Sequence, residues 1–189
     1  MKKHLIKLNI LGIALLSMTT LAQQKNTSKK TNETKKTEQS VSDKKKALEL
    51  EKSRLIKPYH PEENAEEKIN LLVEKATKEN KNIIIQAGGN WCIWCLRFNQ
   101  FVQDTPELKE LVDRKFLYYH LNWSPENKNT QLFEKYGNPG EKYGYPVFII
   151  LNKKGEMIHT QDSSVLEKGN SYSEQKVKEF FLKYVDASK

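Results

Sequence analysis

Cys92 and Cys95 are the only cysteines in a chain of 189 residues, and they sit two residues apart in Trp91-Cys92-Ile93-Trp94-Cys95. At the start of a helix this spacing brings the two sulfurs within bonding reach, so the pair can cycle between dithiol and disulfide. Three chemistries compete for it. As a redox couple, Cys92 is the nucleophile. The free backbone N–H groups of a helix N-terminus favour its thiolate, which attacks a substrate disulfide, and Cys95, one turn on, resolves the mixed disulfide. As an inert cross-link the bond closes almost no loop and adds little stability. As a zinc site the pair needs two more ligands, from His60, His120 or His159. Redox chemistry is the expectation, with no metal and no small cofactor, since the sulfurs carry the electrons. No Lys, Arg or His stands between the cysteines, so the Cys92 thiol is expected toward the upper part of the roughly 3.5–7.5 range of such motifs.

The elements that must hold this pair follow from periodicity. Ile69, Leu72, Val73 and Ala76 fall at i, i+3, i+4 and i+7, one apolar face of a helix. Asn82 to Gln86 is a strand whose consecutive Ile83, Ile84 and Ile85 call for burial on both faces. Gly88-Gly89-Asn90 turns the chain, Cys92 opens the next helix, and Thr105-Pro106 restarts helix with Thr105 as cap. Lys115 to Leu121 is a second strand and Thr130 to Tyr136 a short helix. Pro146 then precedes the strand Val147 to Leu151. Asn152 to Gly155 makes a hairpin turn into Glu156 to Thr160, and Ser171 and Glu174 have capping-box spacing for a last helix. The order is α-β-α-β-α-β-β-α, an α/β fold with a mixed sheet covered by helices.

Three regions differ in composition. Residues 1–22 read as a cleaved secretory signal, with Lys2, Lys3 and Lys7 ahead of the apolar run Leu8 to Met18 and small residues at Thr20 and Ala22. Residues 23–57 are rich in Lys, Thr and Asn, lack aromatics, and read as a disordered linker with a short helix available over Ala47 to Ile56. Residues 58–189 read as one domain. The net charge is +8. The signal carries three of these charges, and residues 23–57 hold eleven basic against five acidic groups, leaving residues 58–189 at −1. The basic balance therefore belongs to the leader and linker, and nucleic acid is excluded as a partner of the domain.

Taken together, the chain resembles the thioredoxin superfamily. The resemblance rests on Trp-Cys-x-x-Cys at residues 91–95 after a strand and turn, on Lys135-Tyr136-Gly137, on Gly144-Tyr145-Pro146-Val147 running into the third strand, and on the turn Asn152 to Glu156. It covers about Tyr59 to Val185. Tyr59-His60-Pro61 and Lys78-Glu79-Asn80-Lys81 are more like the secreted bacterial branch. The resemblance implies a thioredoxin-like fold with a central mixed four-stranded sheet flanked by helices. It implies a cis Pro146 facing the cysteines, with Tyr145 lining a groove where a polypeptide pairs like an added strand. Trp91 and Trp94 are then substrate-binding candidates, Trp91 packed on the domain and Trp94 touching substrate. Two departures stand out: Gln86 occupies the family's buried acid position, which implies slower proton transfer to and from Cys95 or a water or substrate group doing that job, and Ile93-Trp94 replaces Gly-Pro between the cysteines.

The expected function is that of a monomeric thiol–disulfide oxidoreductase, periplasmic or secreted. It would reduce or isomerise disulfides in cysteine-containing exported proteins, fed by a membrane thiol electron donor. The alternative from another class is a thioredoxin-like peptide-binding module whose cysteines are idle. A peroxidase on the same fold is weaker, for want of a cationic residue to hold peroxide.

Overall fold

The computed structural model describes residues 39–185. The expected signal over residues 1–22, the linker residues 23–38 and residues 186–189 lie outside the described residues. The chain divides into two units, Met1–Ala47 and Leu48–Lys189, so the second starts ahead of the boundary expected at residue 58. Residues 39–54 are helical (α1), where a disordered linker with at most a short helix over 47–56 was expected. The stretch lacks Gly and Pro and is rich in Lys, Ala, Leu and Glu, strong helix formers. Within the second unit its Glu51 is gripped by Arg97, Nε to Oε1 at 2.7 Å and Nη2 to Oε2 at 2.8 Å. A reading based on low apolar content alone misses both contributions. Among the described residues no helix is long and apolar enough to cross a membrane.

The second unit continues with α2 (Ala65–Glu79), β1 (Asn82–Gly88), α3 (Ile93–Asp104), α4 (Pro106–Lys115), β2 (Phe116–Asn122), α5 (Thr130–Lys135), α6 (Pro139–Tyr143), β3 (Val147–Leu151), β4 (Met157–Asp162), the two-residue strands β5 (Glu167–Lys168) and β6 (Ser171–Tyr172), and α7 (Glu174–Lys183). The main sheet has the order β2-β1-β3-β4. β1 runs parallel to β2 and antiparallel to β3, and β3 and β4 form the antiparallel hairpin. The fold class read from the sequence, a mixed four-stranded sheet flanked by helices, is the one observed.

Every residue of β1 is buried. Ile84 meets Phe98 of α3, Leu108 of α4 and Phe181 of α7 on one side of the sheet. Ile83 and Ile85 meet Ile69 of α2 and Phe133 of α5 on the other. A fully buried Ile contributes on the order of 1.5–3 kcal/mol, so these three residues anchor the strand whose end carries the cysteine turn.

Three local details depart from expectation. Thr105 sits between α3 and α4, extended as a residue before proline must be (φ −104°, ψ 99°), but its hydroxyl donates back to the Phe101 carbonyl at 2.7 Å. Thr105 holds the N-cap position of α4 ahead of Pro106, as expected, but its side chain makes no cap bond there. The Ser171–Glu174 capping box does not form, because Ser171 is in β6 and Ser173 is the residue preceding α7. The stretch between the expected short helix and Pro146, given no element in the sequence reading, contains α6.

Candidate functional site

The site begins where β1 ends. The Gly88 carbonyl accepts from Trp123 N–H at 2.6 Å, which ties the loop after β2 to this turn. A Cβ on Gly88 would lie 2.5 Å from Cys95 Sγ and 2.9 Å from the Tyr59 hydroxyl. Only glycine leaves room for the sulfur there. Four residues on, Cys92 N–H donates to the Gly89 carbonyl at 3.1 Å, and Cys92 becomes the N-cap of α3 in an extended conformation. Its sulfur accepts the Cys95 backbone N–H at 3.2 Å. Placed so, the sulfur meets the unsatisfied N–H groups and positive end of the helix, which favour a thiolate.

The two cysteines form a disulfide, with Cα atoms 5.3 Å apart. Cys95 is fully enclosed and Cys92 is 7% exposed, so the outer sulfur is the one a substrate can reach. The Tyr145–Pro146 peptide is cis, as the sequence led us to expect, and the Tyr145 carbonyl oxygen lies 3.5 Å from Cys92 Sγ. Arg97 stands 4.9 Å over the Trp94 ring, but its charge is matched by Glu51, whose carboxyl is held below the usual range chiefly by their hydrogen bond. The charge environment of Cys92 is thus governed mainly by the helix terminus.

Trp91 packs on the domain, as expected, yet is the more open of the two tryptophans, and Trp94 is more enclosed than expected. Trp91 is 44% exposed. It meets Tyr145 and Trp123 edge-on, at 5.6 and 6.0 Å between ring centres, and Trp123 stacks on Tyr145 at 5.7 Å. Trp94 is part-buried between Arg97 and the ring of Tyr172, and its backbone carbonyl accepts from the Tyr172 hydroxyl at 3.1 Å. The β5–β6 hairpin, not anticipated from sequence, supplies Tyr172 and so claims the ring expected to face substrate. Trp91, Trp123 and Tyr145 make the open aromatic surface beside Cys92.

Behind Cys95 lies a polar cluster that sequence reading did not assemble. Gln86 is fully buried. Its amide donates to the Tyr59 hydroxyl at 2.7 Å and to the Cys95 carbonyl at 3.1 Å, and its oxygen accepts from the Tyr118 hydroxyl at 2.7 Å. His120 pairs with Gln86 across β1 and β2, lies edge-on to the Tyr59 ring at 5.2 Å, and keeps an enclosed Nε2 without a partner among the described residues. Burial pushes its imidazole down to about 4 and raises Tyr59 and Tyr118 well above the usual phenol range. The cluster is neutral near pH 7. The signal for it was the parallel register: once β1 and β2 are aligned, Gln86, Tyr118 and His120 share one face.

Among the described residues no three His, Cys, Asp or Glu side chains converge; His60 pairs with Glu62 and His159 stacks on Tyr184.

Residues 64–153 match the family model described as thioredoxin-like. No curated protein matches the chain in sequence. Among solved structures, the chain is similar to a disulphide isomerase from Xylella fastidiosa Temecula1, with TM-score 0.59 and 21% identity over 67% of this chain and 95% of that one. A thioredoxin from Thermus thermophilus shows TM-score 0.45 and 18% identity over 63% of this chain and 85% of that one. The C-terminal domain of DsbD from Neisseria meningitidis, in its oxidised form, shows TM-score 0.46 and 16% identity over 65% and 96%.

Proposed function

We propose, for a chain whose domain is thioredoxin-like in family match and in fold, that it is a thiol–disulfide oxidoreductase working through the Cys92–Cys95 couple. The observation that carries the reading is the placement of Cys92. Its sulfur caps α3, is the more accessible of the pair, and lies 3.5 Å from the Tyr145 carbonyl.

In the reductive direction the Cys92 thiolate attacks one sulfur of a substrate disulfide, and the other leaves as a thiolate carrying the electron pair. Cys95 then attacks Cys92 Sγ, re-forming the internal disulfide and releasing the second substrate thiol. Run in sequence with partial release, the same steps isomerise. The substrate-binding role belongs to the backbone beside Pro146, with Tyr145 and Trp91 lining the approach. Trp94 reaches a substrate only at its free edge.

The substrates on this reading are cysteine-containing exported proteins, and the compartment is periplasmic or extracellular. The support is the Lys-rich start and apolar run of residues 1–22 in the sequence. A reductase in an oxidising compartment needs a membrane thiol donor to recharge it. The test is trapping with a small disulfide-bonded protein: Cys95→Ser accumulates a covalent mixed disulfide through Cys92, and Cys92→Ser forms none. Full exchange activity in Cys92→Ser overturns the reading. Equal substrate binding by a Cys92→Ala, Cys95→Ala double variant, in a wild-type chain that shows no exchange, moves it to a peptide-binding module.

A further inference from the structure

Tyr59 is 1% exposed and packs against both cysteines. Its backbone is pinned to the turn ahead of Cys92 by two bonds to Asn90: Tyr59 N–H donates to Oδ1 at 3.2 Å and the Tyr59 carbonyl accepts from Nδ2 at 2.8 Å. The orientation of the neighbouring amide then determines what the phenol can do. Gln86 faces the Cys95 carbonyl, which can only accept, so the atom there is Nε2. The same nitrogen faces the Tyr59 hydroxyl. The phenol oxygen is therefore the acceptor in that bond, and its own O–H is free for another acceptor. The Tyr118 hydroxyl donates to Oε1, and both N–H donors of the Gln86 amide are used.

The atom best placed to receive the Tyr59 proton is Cys95 Sγ. Sulfur and phenol oxygen both lie within 3 Å of one point, the place a Cβ on Gly88 would occupy. In the disulfide that sulfur is a poor acceptor. In the dithiol cycle it must become an enclosed thiolate, and an enclosed anion without a donor is strongly disfavoured. The titratable groups of this cluster are Cys92 and Tyr145, packed with Tyr59 and Cys95, Tyr118 bonded to Gln86, His120 against the Tyr59 ring, and, against Trp94, Tyr172 and the Arg97 of the Arg97–Glu51 pair. His120 is neutral, Arg97 is matched by Glu51, and Tyr118 is committed to Gln86.

Resting on the oxidoreductase reading, we infer that the Tyr59 hydroxyl, oriented by Gln86, donates a hydrogen bond to the Cys95 thiolate and so prepares it to resolve the mixed disulfide. The Cys95 thiol gives its proton to solvent on the open side of Cys92, and Tyr59 keeps its own. The thiolate attacks Cys92 Sγ, the bond from Cys92 to the substrate sulfur breaks, and that sulfur leaves as a thiolate with the electron pair. The protein is oxidised by two electrons and the substrate disulfide is reduced by two. A neutral donor thus does, by stabilising the anion, work for which no buried carboxylate is present at residue 86.

The test follows both steps with reduced full chain and dithiobis(nitrobenzoate). The first coloured thiolate reports attack by Cys92 and the second reports resolution by Cys95. In Tyr59→Phe the second step slows about tenfold at pH 7 and its pH midpoint rises by about one unit, while the first step keeps its midpoint. Gln86→Met, which leaves the hydroxyl but removes its holder, moves the second midpoint in the same direction by less, and serves if Tyr59→Phe does not fold. An unchanged second midpoint in the folded variant overturns the inference, as does an equal shift in Tyr118→Phe, which would mark a general disturbance of the cluster. A wild-type chain that releases no second thiolate fails the oxidoreductase reading itself, a separate outcome.

Discussion

The indole N–H of Trp91 donates to the backbone carbonyl of Trp123 at 2.7 Å. This bond holds the ring, which is 44% exposed, beside the disulfide. A rigid aromatic surface next to a nucleophile binds apolar side chains at low entropic cost. Trp91→Ala is therefore expected to raise KM about three- to tenfold for peptides with a large apolar residue beside the target cysteine, which corresponds to roughly 0.7–1.4 kcal/mol. The effect should be small for peptides with Ser or Gly there, and kcat should be retained. Steady-state assays with paired peptides measure it.

Trp94 should behave in the opposite way. Its ring is held by Tyr172 and Arg97, so Trp94→Ala removes packing before it removes substrate contact. A loss of about 1–3 kcal/mol of stability is expected, with KM little changed. Urea unfolding of the oxidised chain, compared with the same kinetics, separates the two tryptophans.

Gly88→Ala tests the close approach of backbone and sulfur. The added methyl would meet Cys95 Sγ and the Tyr59 hydroxyl inside contact distance, and overpacking of this kind costs typically about 1–3 kcal/mol. The expected variant is destabilised and has an altered reactivity of Cys95 toward alkylation after reduction. A wild-type unfolding midpoint would mean the turn has more freedom than its geometry allows.

His120 predicts an acid-side loss of stability. Burial lowers its imidazole to about 4, against about 6.5 in the unfolded chain. The unfolded state thus binds a proton that the folded state refuses between these values, so this contribution is fully present above about pH 6.5 and lost as pH falls toward 4. The upper limit is about 3 kcal/mol from a shift of this size. His120→Gln should flatten that part of the stability curve relative to wild type, measured by denaturant unfolding from pH 7 to 4. Parallel curves for the two chains would contradict it.

The parts of this fold that sequence made legible are those with a single local cause. Ile83-Ile84-Ile85 must be buried on both faces, the Trp-Cys-x-x-Cys run must open a helix after a turn, and Val147 to Leu151 follows directly from the proline ahead of it; all three appear where expected. The features that were missed depend on residues far apart in the chain. Trp94 was assigned to substrate because nothing local places Tyr172 against it across 78 positions. Tyr59 drew notice only as the opening of the domain, since its tie to Gln86 exists only after α2 and β1 fold back. Thr105 has the sequence of an N-cap, but the helix behind it competes for the same hydroxyl and wins.

The most direct test of the central claim is an equilibrium redox titration of the full chain in glutathione or dithiothreitol buffers, followed by Trp fluorescence, since Trp91 and Trp94 flank the couple. The account predicts one reversible two-electron transition, absent in Cys92→Ser. A midpoint near −270 mV marks a reductase that must be recharged, and one nearer −120 mV an oxidant, on the approximate scale set by known couples. A chain whose disulfide shows no reversible transition in either buffer would contradict the account.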